Sequence, residues 1–497
     1  MKLGLNVFAG LAGSAWSAAL ALAVVPFYLR YLGVEAYGLI GFFTTLQILL
    51  QLLDAGLATT INREVAWHSA AGKPREARTV LRTVAVIYWG VAAIIGLLVV
   101  ASAPAIASHW LRSPTIDPTA LTRAVMLMGL AIACRWPIAL YQGALIGAQR
   151  LAVSSGVQIV MVTIGHAGAV TVLALWSSTI EAFFVWHAGT ALVHACVLRW
   201  AAWRALGGDG GERFELGALQ RIWRFSAGMS GTAVAAALLT QIDKVLLSRM
   251  LSLENFGRYT LATVVASGLY VLVIPVFNAV YPRFSALVSR GDSAALAALY
   301  RTGTRLFCSV LFPLGLGVAL FAEDLLVVWT GNAELATSAS PIVALLVLGT
   351  SLNGVMHFPY ALQLAHGLVR LPFLIATALA VAMIPLIVYL TSSYGAVGGA
   401  TAWLIVNVAY LMMGTYLTHR RILTDIAFKW LLGDVGVPLA ISLLVVLGGG
   451  ALLEIHEETV HPVQNLLLAI GLSITAAVIA LAVSTTLRTR PQQHGKS

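Results

Sequence analysis

Charged residues are scarce in this chain. Asp, Glu, Lys and Arg make up 10% of its 497 residues, whereas a soluble globular domain carries roughly 25%. Hydrophobic residues make up 59%, and they recur in runs of about 20 residues, long enough for a helix to cross about 30 Å of hydrocarbon. The composition therefore excludes an ordinary soluble domain and predicts helices that cross a membrane.

Cysteines and catalytic motifs are also few. Cys134, Cys196 and Cys308 each lie inside an apolar run, so no disulfide framework is predicted. The sequence contains no HExxH, CxxC, P-loop or GxSxG motif. No segment between apolar runs exceeds about 23 residues, and a separate catalytic domain needs about 50. We predict no enzyme, no metal site and no cofactor.

The apolar runs number about 14, between residues 7 and 487. The chain opens without the cleavage site of a signal peptide, so we interpret the first run as the first membrane helix. When alternate loops are assigned to one side, that side holds 23 of the 30 Lys and Arg residues. Because basic loops face the cytoplasm, both termini are predicted to be cytoplasmic. Topology then explains the net charge of +10, and nucleic acid is not a predicted partner.

A short pattern occurs twice in the sequence. Residues 29–38 join the first two runs and residues 248–257 join the seventh and eighth, with Arg, Leu, Glu, an aromatic residue and Gly in register. When the two copies are aligned in this way, Arg30 corresponds to Arg249. We call the spacing between these two arginines the repeat offset. Six runs separate the copies, so the two copies share an orientation and are related by an axis along the membrane normal.

The repeat and the apolar runs together predict the architecture. We expect an all-α polytopic protein with two parallel six-helix repeats around a central cavity. The first repeat would comprise residues 1–205 and the second residues 206–425. Residues 426–497 would add two further helices and a cytoplasmic tail.

Polar side chains inside the apolar runs are costly in lipid, so they indicate where a cavity lies. An amide or hydroxyl in an apolar run has an alternative role to lining a cavity, which is a hydrogen bond between helices. For the membrane histidines His166, His187 and His194 the alternative role is packing. The polar residues that share a helical face are Gln47, Gln51 and Asp54 in the second run, Gln241 and Lys244, beside Asp243, in the seventh, and Asn353, His357 and Tyr360 in the tenth.

Arg135 is the strongest single candidate, since it lies near the middle of the fourth run, too far from either end to reach water along the helix. The basic segment after the second run is explained by topology and anionic lipid, although Arg63 is also a candidate for contact with a substrate phosphate. Asp54 and Asp243 are the acidic residues in these runs and the candidates for ion coupling. A structural ion pair is the alternative for Asp54 and for Lys244.

The sequence resembles the polysaccharide-biosynthesis flippases of the multidrug/oligosaccharidyl-lipid/polysaccharide exporter superfamily, over roughly residues 5–420. The residues that carry the resemblance are Pro26-Phe27-Tyr28-Leu29-Arg30-Tyr31-Leu32-Gly33, Tyr37-Gly38, Leu52-Leu53-Asp54-Ala55-Gly56-Leu57, Asn62-Arg63-Glu64, Thr240-Gln241-Ile242-Asp243-Lys244 and Phe256-Gly257-Arg258-Tyr259.

The resemblance implies a flippase that turns an undecaprenyl-pyrophosphate-linked oligosaccharide from the cytoplasmic to the periplasmic leaflet by alternating access. The product would feed O-antigen, capsule or exopolysaccharide assembly, with a glycan polymerase and chain-length machinery as possible partners besides membrane lipids. Arg135 and Lys244 would then offset the pyrophosphate charge, while Gln47, Gln51, Gln241 and the polar residues of the tenth run contact sugar.

Two other functions are compatible with the sequence. A cation-coupled multidrug antiporter would need an acidic residue deep in the cavity, but such antiporters usually have 12 spans. The pattern typical of the first lobe in lipid II flippases is not recognisable here. A membrane glycan polymerase or glycosyltransferase would need a long outer loop with catalytic residues, and the outer segments of this chain are short.

Overall fold

The structure is a computed structural model, and it describes residues 2–51, 54, 56–208, 211–217, 241–424, 426–454 and 461–486. In this part of the chain the regular structure is helical, and a single isolated bridge joins Arg112 to Ser252. The predicted all-α fold is thereby confirmed. The helices of the first half are α1 (Lys2–Gln51), α2 (Leu57–Ala70), α3 (Pro74–Ala105) with a π-helical turn (Ile106–Trp110), α4 (Pro118–Arg135), α5 (Pro137–Gly147), α6 (Leu151–Leu175), α7 (Ile180–Ala205) and α8 (241–250).

The second half continues with the same kind of long apolar helix. These helices are α9 (Leu253–Ser267), α10 (Tyr270–Ser289), α11 (Ser293–Leu320), α12 (Ala322–Thr330), α13 (Ala333–Val355), α14 (His357–Ala365), α15 (Arg370–His419), α16 (Ala427–Lys429) with a π-helical turn (Trp430–Gly436), α17 (Val437–Glu454) and α18 (Pro462–Thr486). Eleven helical segments among the described residues are long and apolar enough to cross a membrane.

Two of these segments each contain two helices. Gly33 in α1 has φ 80° and ψ 171°, and Gly395 in α15 has φ 58° and ψ −137°, conformations that favour a residue without Cβ. In each segment the two helices therefore join at a single glycine, where the sequence predicted a loop of several residues. The predicted number of 14 spans is not confirmed, because most of the predicted seventh span lies outside the described residues.

The predicted repeat extends well beyond the two short sequence copies. The starts of α3 and α11 are separated by the same offset as Arg30 and Arg249, and so are the starts of α6 and α15. Trp136 separates α4 from α5, and Met356 separates α13 from α14 at nearly the same offset. The offset found in one sequence pattern therefore holds across most of each repeat.

The two repeat glycines contact each other's helix. A Cβ on Gly38 would lie 2.1 Å from the carbonyl oxygen of Leu253, and a Cβ on Gly257 would lie 2.2 Å from the carbonyl oxygen of Val34. The two contacts are equivalent, since each member of one corresponds to a member of the other at the repeat offset. Small residues let membrane helices approach backbone to backbone, so α1 and α9 cross at the positions that recur in the sequence.

The chain divides into two compact units, Met1–Gly257 and Arg258–Ser497. The boundaries predicted from the sequence, after residues 205 and 425, divide the chain into two repeats and two additional helices. They do not describe compact units, and they stay a prediction. In the second unit, α17 and α18 pack on α11. The carboxylate of Asp434, 0% exposed, accepts hydrogen bonds from Arg301 at 2.7 Å and from Arg305 at 2.5 Å, which ties the additional helices to the second repeat.

Candidate functional site

A cavity of about 200 Å³ lies inside the first unit, where several membrane helices are interrupted. The cavity combines polar side chains from α1, α4, α5, α6 and α7 with a few apolar ones. The residues that line it are Gln47, Gln51, Asp54, Ile132, Arg135, Trp136, Ile138, Ala139, Gln142, Gln158, Val162 and His194. Four of the predicted site residues, Gln47, Gln51, Asp54 and Arg135, therefore lie around one cavity.

Arg135 is the charged centre of this cavity. It is the last residue of α4, and Pro137 begins α5, because a proline lacks the N–H that would continue the helix and clashes with the preceding turn. The side chain of Arg135 lies near the middle of the membrane segment 118–147, yet it is exposed rather than packed. Among the described residues no carboxylate forms an ion pair with it. A guanidinium that is open to a cavity without a counterion is suited to bind an anion.

Amide side chains make up much of the remaining polar wall. Gln47 and Gln51 lie one helical turn apart near the end of α1. Gln142 of α5 donates from Nε2 to Oε1 of Gln158 in α6 at 3.2 Å. Four glutamines offer both donors and acceptors, so together they can bind hydroxyl groups or phosphate oxygens.

Asp54 lies on the cavity wall between α1 and α2, and both of its carboxylate oxygens are used. Oδ1 accepts a hydrogen bond from the hydroxyl of Tyr88. Oδ2 accepts one at 3.3 Å from the N–H of Ala58, in the first turn of α2. A carboxylate at this position satisfies a helix N–H that otherwise has no partner within the helix. The geometry gives Asp54 a structural role beside its position in the cavity.

Histidines extend the basic side of the cavity. His194 lines it, and Arg135 interacts electrostatically with His194, His187 and His166. Nδ1 of His166 lies 2.9 Å from the hydroxyl of Tyr28. The Nε2 atoms of His187 and His194 are buried and have no hydrogen-bond partner among the described residues.

The three predicted residues of the tenth run lie together in the second unit. Asn353 accepts from the Tyr270 hydroxyl at 2.9 Å and donates to Asn407 at 2.8 Å. His357 lies one turn after Asn353, and its Nδ1 is 3.2 Å from the Asn353 carbonyl oxygen. Met356 separates α13 from α14 next to these residues, much as Trp136 separates α4 from α5 beside Arg135.

Aromatic rings surround this second group. Phe277 of α10 stacks on Tyr281 and on Tyr360, with ring centroids 5.8 Å and 5.7 Å apart, and an edge of His357 faces it at 5.9 Å. The result is a row of parallel rings with polar edges, next to the Asn353 network. Phe277 and Asn407 were not anticipated from the sequence. Phe277 is one more apolar residue in its run, and Asn407 is a single amide in a long apolar run.

Lys244 and Gln241 do not line the cavity. Nζ of Lys244 lies 3.2 Å from Oδ2 of its neighbour Asp243, which is 4% exposed. Oε1 of Gln241 is buried and has no partner in the described part of the chain. Asp243 and Lys244 therefore form an ion pair, the structural alternative that the sequence had left open for Lys244.

Arg63 lies on the surface of α2. Its side chain is 59% exposed and lies 4.0 Å from Glu64, outside the lining of the cavity. Three polar or aromatic residues of the cavity, Trp136, Gln142 and Gln158, were not predicted as site residues, and His194, for which packing was the alternative, also lines it. Gln142 follows Arg135 by one heptad, a spacing that puts both on one face of a continuous helix. Gln158 carried no such signal, because only packing of α5 against α6 brings it to the site.

Comparison with known proteins agrees with this architecture. The sequence model of a family described as "Polysaccharide biosynthesis protein" matches residues 3–288. No curated protein matches the chain. A solved structure of the lipid II flippase MurJ, in an inward-closed conformation, has a TM-score of 0.72 at 13% identity, covering 97% of this chain and 99% of that one.

Multidrug transporters share the fold as well. An inward-facing multidrug resistance MATE family transporter of the MOP superfamily has a TM-score of 0.65 at 11% identity, covering 81% of this chain and 95% of that one. A mutant of the Vibrio cholerae MATE transporter VcmN has a TM-score of 0.57 at 13% identity, covering 84% and 96%. At these identities the likeness shows the fold, a multi-span membrane architecture common to flippases and drug transporters.

Proposed function

Since the chain belongs to the polysaccharide biosynthesis protein family, we propose that it is a flippase for an undecaprenyl-pyrophosphate-linked oligosaccharide. It would turn this lipid from the cytoplasmic to the periplasmic leaflet of a bacterial inner membrane by alternating access. A sugar head group cannot cross hydrocarbon unaided, because its hydroxyls would lose their hydrogen bonds to water. A polar cavity inside the protein replaces those bonds.

Arg135 is the observation that best supports this proposal. It presents a guanidinium to the cavity without a carboxylate partner among the described residues, and four glutamines lie around it. A guanidinium binds phosphate oxygens through two parallel hydrogen bonds. The pyrophosphate is the part of the proposed substrate that needs such a partner, because its charge is the most costly to remove from water.

The size of the cavity favours the charged group over the glycan. A volume of about 200 Å³ suits a compact pyrophosphate better than an oligosaccharide. The sugars need another surface. The rings of Phe277, Tyr281 and Tyr360, with the polar groups of Asn353 and His357, are our candidates, since aromatic faces with polar edges bind amphiphilic groups.

A cation-coupled multidrug antiporter is the second candidate, because Asp54 lines the cavity. Two features favour the flippase over this alternative. Both oxygens of Asp54 already accept hydrogen bonds from the protein. Arg135 would repel a cationic drug in the same small space.

The test is lipid analysis of a strain that lacks the gene. Undecaprenyl-pyrophosphate glycans should accumulate and stay protected from a glycan-cleaving enzyme added outside intact spheroplasts, and the wild-type gene should restore their access. Accumulation would also identify the sugar composition of the cargo. A normal lipid pool together with altered sensitivity to cationic drugs would contradict the flippase and favour the antiporter.

Arg135→Ala in the same strain tests the proposed site. We expect the trapped lipid to persist while the abundance of the protein in the membrane stays near wild type, because the side chain faces a cavity and supports little packing. Arg63→Ala, a matched loss of one arginine from the same unit, should restore transport. Equal loss of abundance in Arg135→Ala would indicate a role in folding instead.

The pathway and partners follow from the same proposal. The flipped glycan would supply O-antigen, capsule or exopolysaccharide assembly in the periplasm, with a glycan polymerase and chain-length machinery as partners. Both termini would then lie in the cytoplasm, as the distribution of Lys and Arg predicts.

A further inference from the structure

A second pocket lies at the C-terminal end of α7, away from the cavity around Arg135. It is open, with a volume of about 870 Å³, and we call it the α7 terminal pocket. Its lining residues are Cys196, Arg199, Trp200, Trp203, Arg204, Gly207 and Gly208. By the distribution of basic residues, this end of α7 is on the predicted cytoplasmic side, at the depth of lipid head groups.

The α7 terminal pocket carries positive charge that the described part of the protein does not neutralise. Arg199 and Arg204 are both exposed, and neither forms an ion pair with a described carboxylate. Arg82 of α3 does not line the pocket, although Arg82 and Arg199 both interact electrostatically with the Tyr141 hydroxyl. Arg78 nearby differs from these arginines because it forms an ion pair, with its Nε 2.5 Å from Glu212. The pocket therefore attracts an anion.

An exposed tryptophan gives the pocket an apolar side. Trp200 is 61% exposed, and the guanidinium of Arg204 lies over its ring, 5.2 Å from the centroid. Tryptophan is enriched where lipid head groups meet the hydrocarbon, because its ring is apolar and its N–H is polar. The pocket thus combines a cationic part with a part suited to the beginning of an acyl chain.

A separate apolar groove lies beside the same helix, towards its N-terminal end. The groove, about 590 Å³, lies between α6 and α7 and includes Gly189 and Val193. These two residues and Cys196 and Trp200 of the pocket are spaced by four, three and four, so all four share one face of α7. A Cβ on Gly189 would meet no atom within 4 Å, which leaves the floor of the groove open.

The near end of the groove lies within one leaflet of Trp200. The distance from Trp200 to Gly189 is about 16 Å along a helix, about half of the 30 Å of hydrocarbon, whereas the far end of the groove at Ala182 lies beyond that distance. We propose that the α7 terminal pocket binds the phosphate of an anionic diacyl phospholipid from the cytoplasmic leaflet, with an acyl chain along α7 that reaches Val193 and Gly189 at the near end of the groove. The proposal does not depend on what the protein transports.

The second repeat supports this assignment, because there the chain itself fills the equivalent surface. Arg82 corresponds to Arg301 at the repeat offset, and Arg301 is paired with Asp434. Trp200 corresponds to His419, which is 1% exposed and faces the ring of Trp430 at 5.4 Å.

Asp434 and Trp430 both belong to the π-helical turn that precedes α17. The second repeat thus receives a carboxylate and an indole ring from the additional helices. In the first repeat Arg199, Arg204 and Trp200 are exposed, while Arg82 is half-buried. In the first repeat, the negative phosphate of a lipid would take the place of the Asp434 carboxylate. The acyl chain of the lipid would take the place of the Trp430 ring.

Native mass spectrometry of the full-length protein tests the proposal. The protein is released from nanodiscs of equal parts phosphatidylglycerol and phosphatidylcholine, and the retained lipids are counted. We expect wild type to retain phosphatidylglycerol with about a tenfold preference, and Arg199→Gln/Arg204→Gln to lose most of it, since each basic residue near the surface contributes measurably to anionic lipid binding. No preference in wild type would overturn the proposal without any variant.

A matched pair of arginines separates a site from general attraction. Arg420 and Arg421 are both exposed and follow the end of α15, whose second part, after Gly395, corresponds to α7. Arg420→Gln/Arg421→Gln removes the same charge and should leave the preference unchanged. Equal loss in both double variants would mean diffuse electrostatics and would overturn the site.

Two further outcomes bear on the identity of the occupant. Trp200→Ala should weaken the retention of phosphatidylglycerol without changing the net charge of the protein. Unchanged retention would show that the indole ring is not part of the binding site. Undecaprenyl phosphate added as a competitor should displace phosphatidylglycerol only weakly. If the pocket retained undecaprenyl phosphate alone, the occupant would be a polyprenyl lipid and the assignment to a phospholipid would be wrong.

Discussion

Arg135 shows how one residue can be deep in a membrane segment and yet exposed. Pro137 ends the regular hydrogen bonding of α4 two residues later, and the interruption opens space next to the guanidinium. The end of α4 also presents carbonyl groups without helical partners, whose partial negative charge favours a nearby cation. A local feature of the sequence therefore supports the charge that the cavity exposes.

Asp54 illustrates the opposite case, a charged residue on a cavity wall that is held by the protein. We expect Asp54→Ala to lower the free energy of unfolding by roughly 1–2 kcal/mol, because the Tyr88 hydroxyl and the Ala58 N–H lose their acceptor. Asp54→Asn should cost less, since its amide oxygen can still accept from Tyr88. Thermal unfolding of the purified variants in detergent measures both.

Transport by Asp54→Asn then separates a structural role from ion coupling. If Asp54 is structural, the rate should keep whatever dependence on the ion gradient wild type has. A variant that transports but no longer responds to the gradient would identify Asp54 as the coupling residue and would contradict a purely structural role.

Interrupted helices are the common feature at the scale of secondary structure. The breaks at Trp136 and Met356 occur at nearly equivalent positions of the two repeats, and each lies beside a polar group in the membrane. The end of α1 at Gln51 and the start of α2 at Leu57 make a third interruption, next to Asp54. Broken membrane helices expose backbone polar groups, which are tolerated where they line a cavity or are buried in protein.

The crossing of α1 and α9 gives a prediction at this scale. Gly38→Ala should destabilise the protein by roughly 1–3 kcal/mol, because its Cβ would lie 2.1 Å from the carbonyl oxygen of Leu253 and the helices must move apart. Gly257→Ala should have the same effect. The measurement is the abundance and thermal unfolding of each variant.

Gly90→Ala in α3 is the control. A Cβ there would meet no atom within 4 Å, and alanine is a better helix former than glycine, so stability should be unchanged or slightly raised. Equal behaviour of Gly38→Ala and Gly90→Ala would mean that α1 and α9 do not approach so closely in the membrane.

At the scale of the whole molecule, charge determines how the additional helices join the second repeat. Asp434 is 0% exposed and is paired with two arginines of α11. Asp434→Ala should lower the free energy of unfolding by roughly 3–5 kcal/mol, because Arg301 and Arg305 would keep their charges without a counterion. Thermal unfolding in detergent measures the loss.

Asp324→Ala provides the comparison for this prediction. Asp324 of α12 accepts a hydrogen bond from Asn465 of α18 at 2.9 Å and lacks an ion-pair partner among the described residues. We expect its loss to cost about 1 kcal/mol. If both variants lost the same stability, the ion pairs would contribute no more than one ordinary hydrogen bond.

Orientation in the membrane is a second prediction for the whole molecule. An alkaline phosphatase fused after Gly331, between α12 and α13, should be active, because that loop is predicted to face the periplasm. A fusion after Arg150, between α5 and α6, should be inactive, since its side is predicted to be cytoplasmic. The reverse pattern of activity would show that the termini face the periplasm.

The sequence alone determined the class of protein, because length and hydrophobicity of a helix decide whether it can cross a bilayer. It also determined the repeat, since Gly38 and Gly257 recur where two backbones must touch. Polar side chains inside apolar helices are costly wherever they occur, and this rule identified Gln47, Gln51, Asp54 and Arg135. The first three of these residues also share a helical face.

Only the tertiary structure decided which of these groups meet. Gln158 and His194 reach the cavity through packing of α5, α6 and α7, which no spacing along one helix reveals. Lys244 carries the same charge as Arg135 and also lies in an apolar run, but its neighbour Asp243 neutralises it. The sequence shows which polar residues lie in membrane helices. The residue that each of them contacts depends on packing between segments that are far apart in the chain.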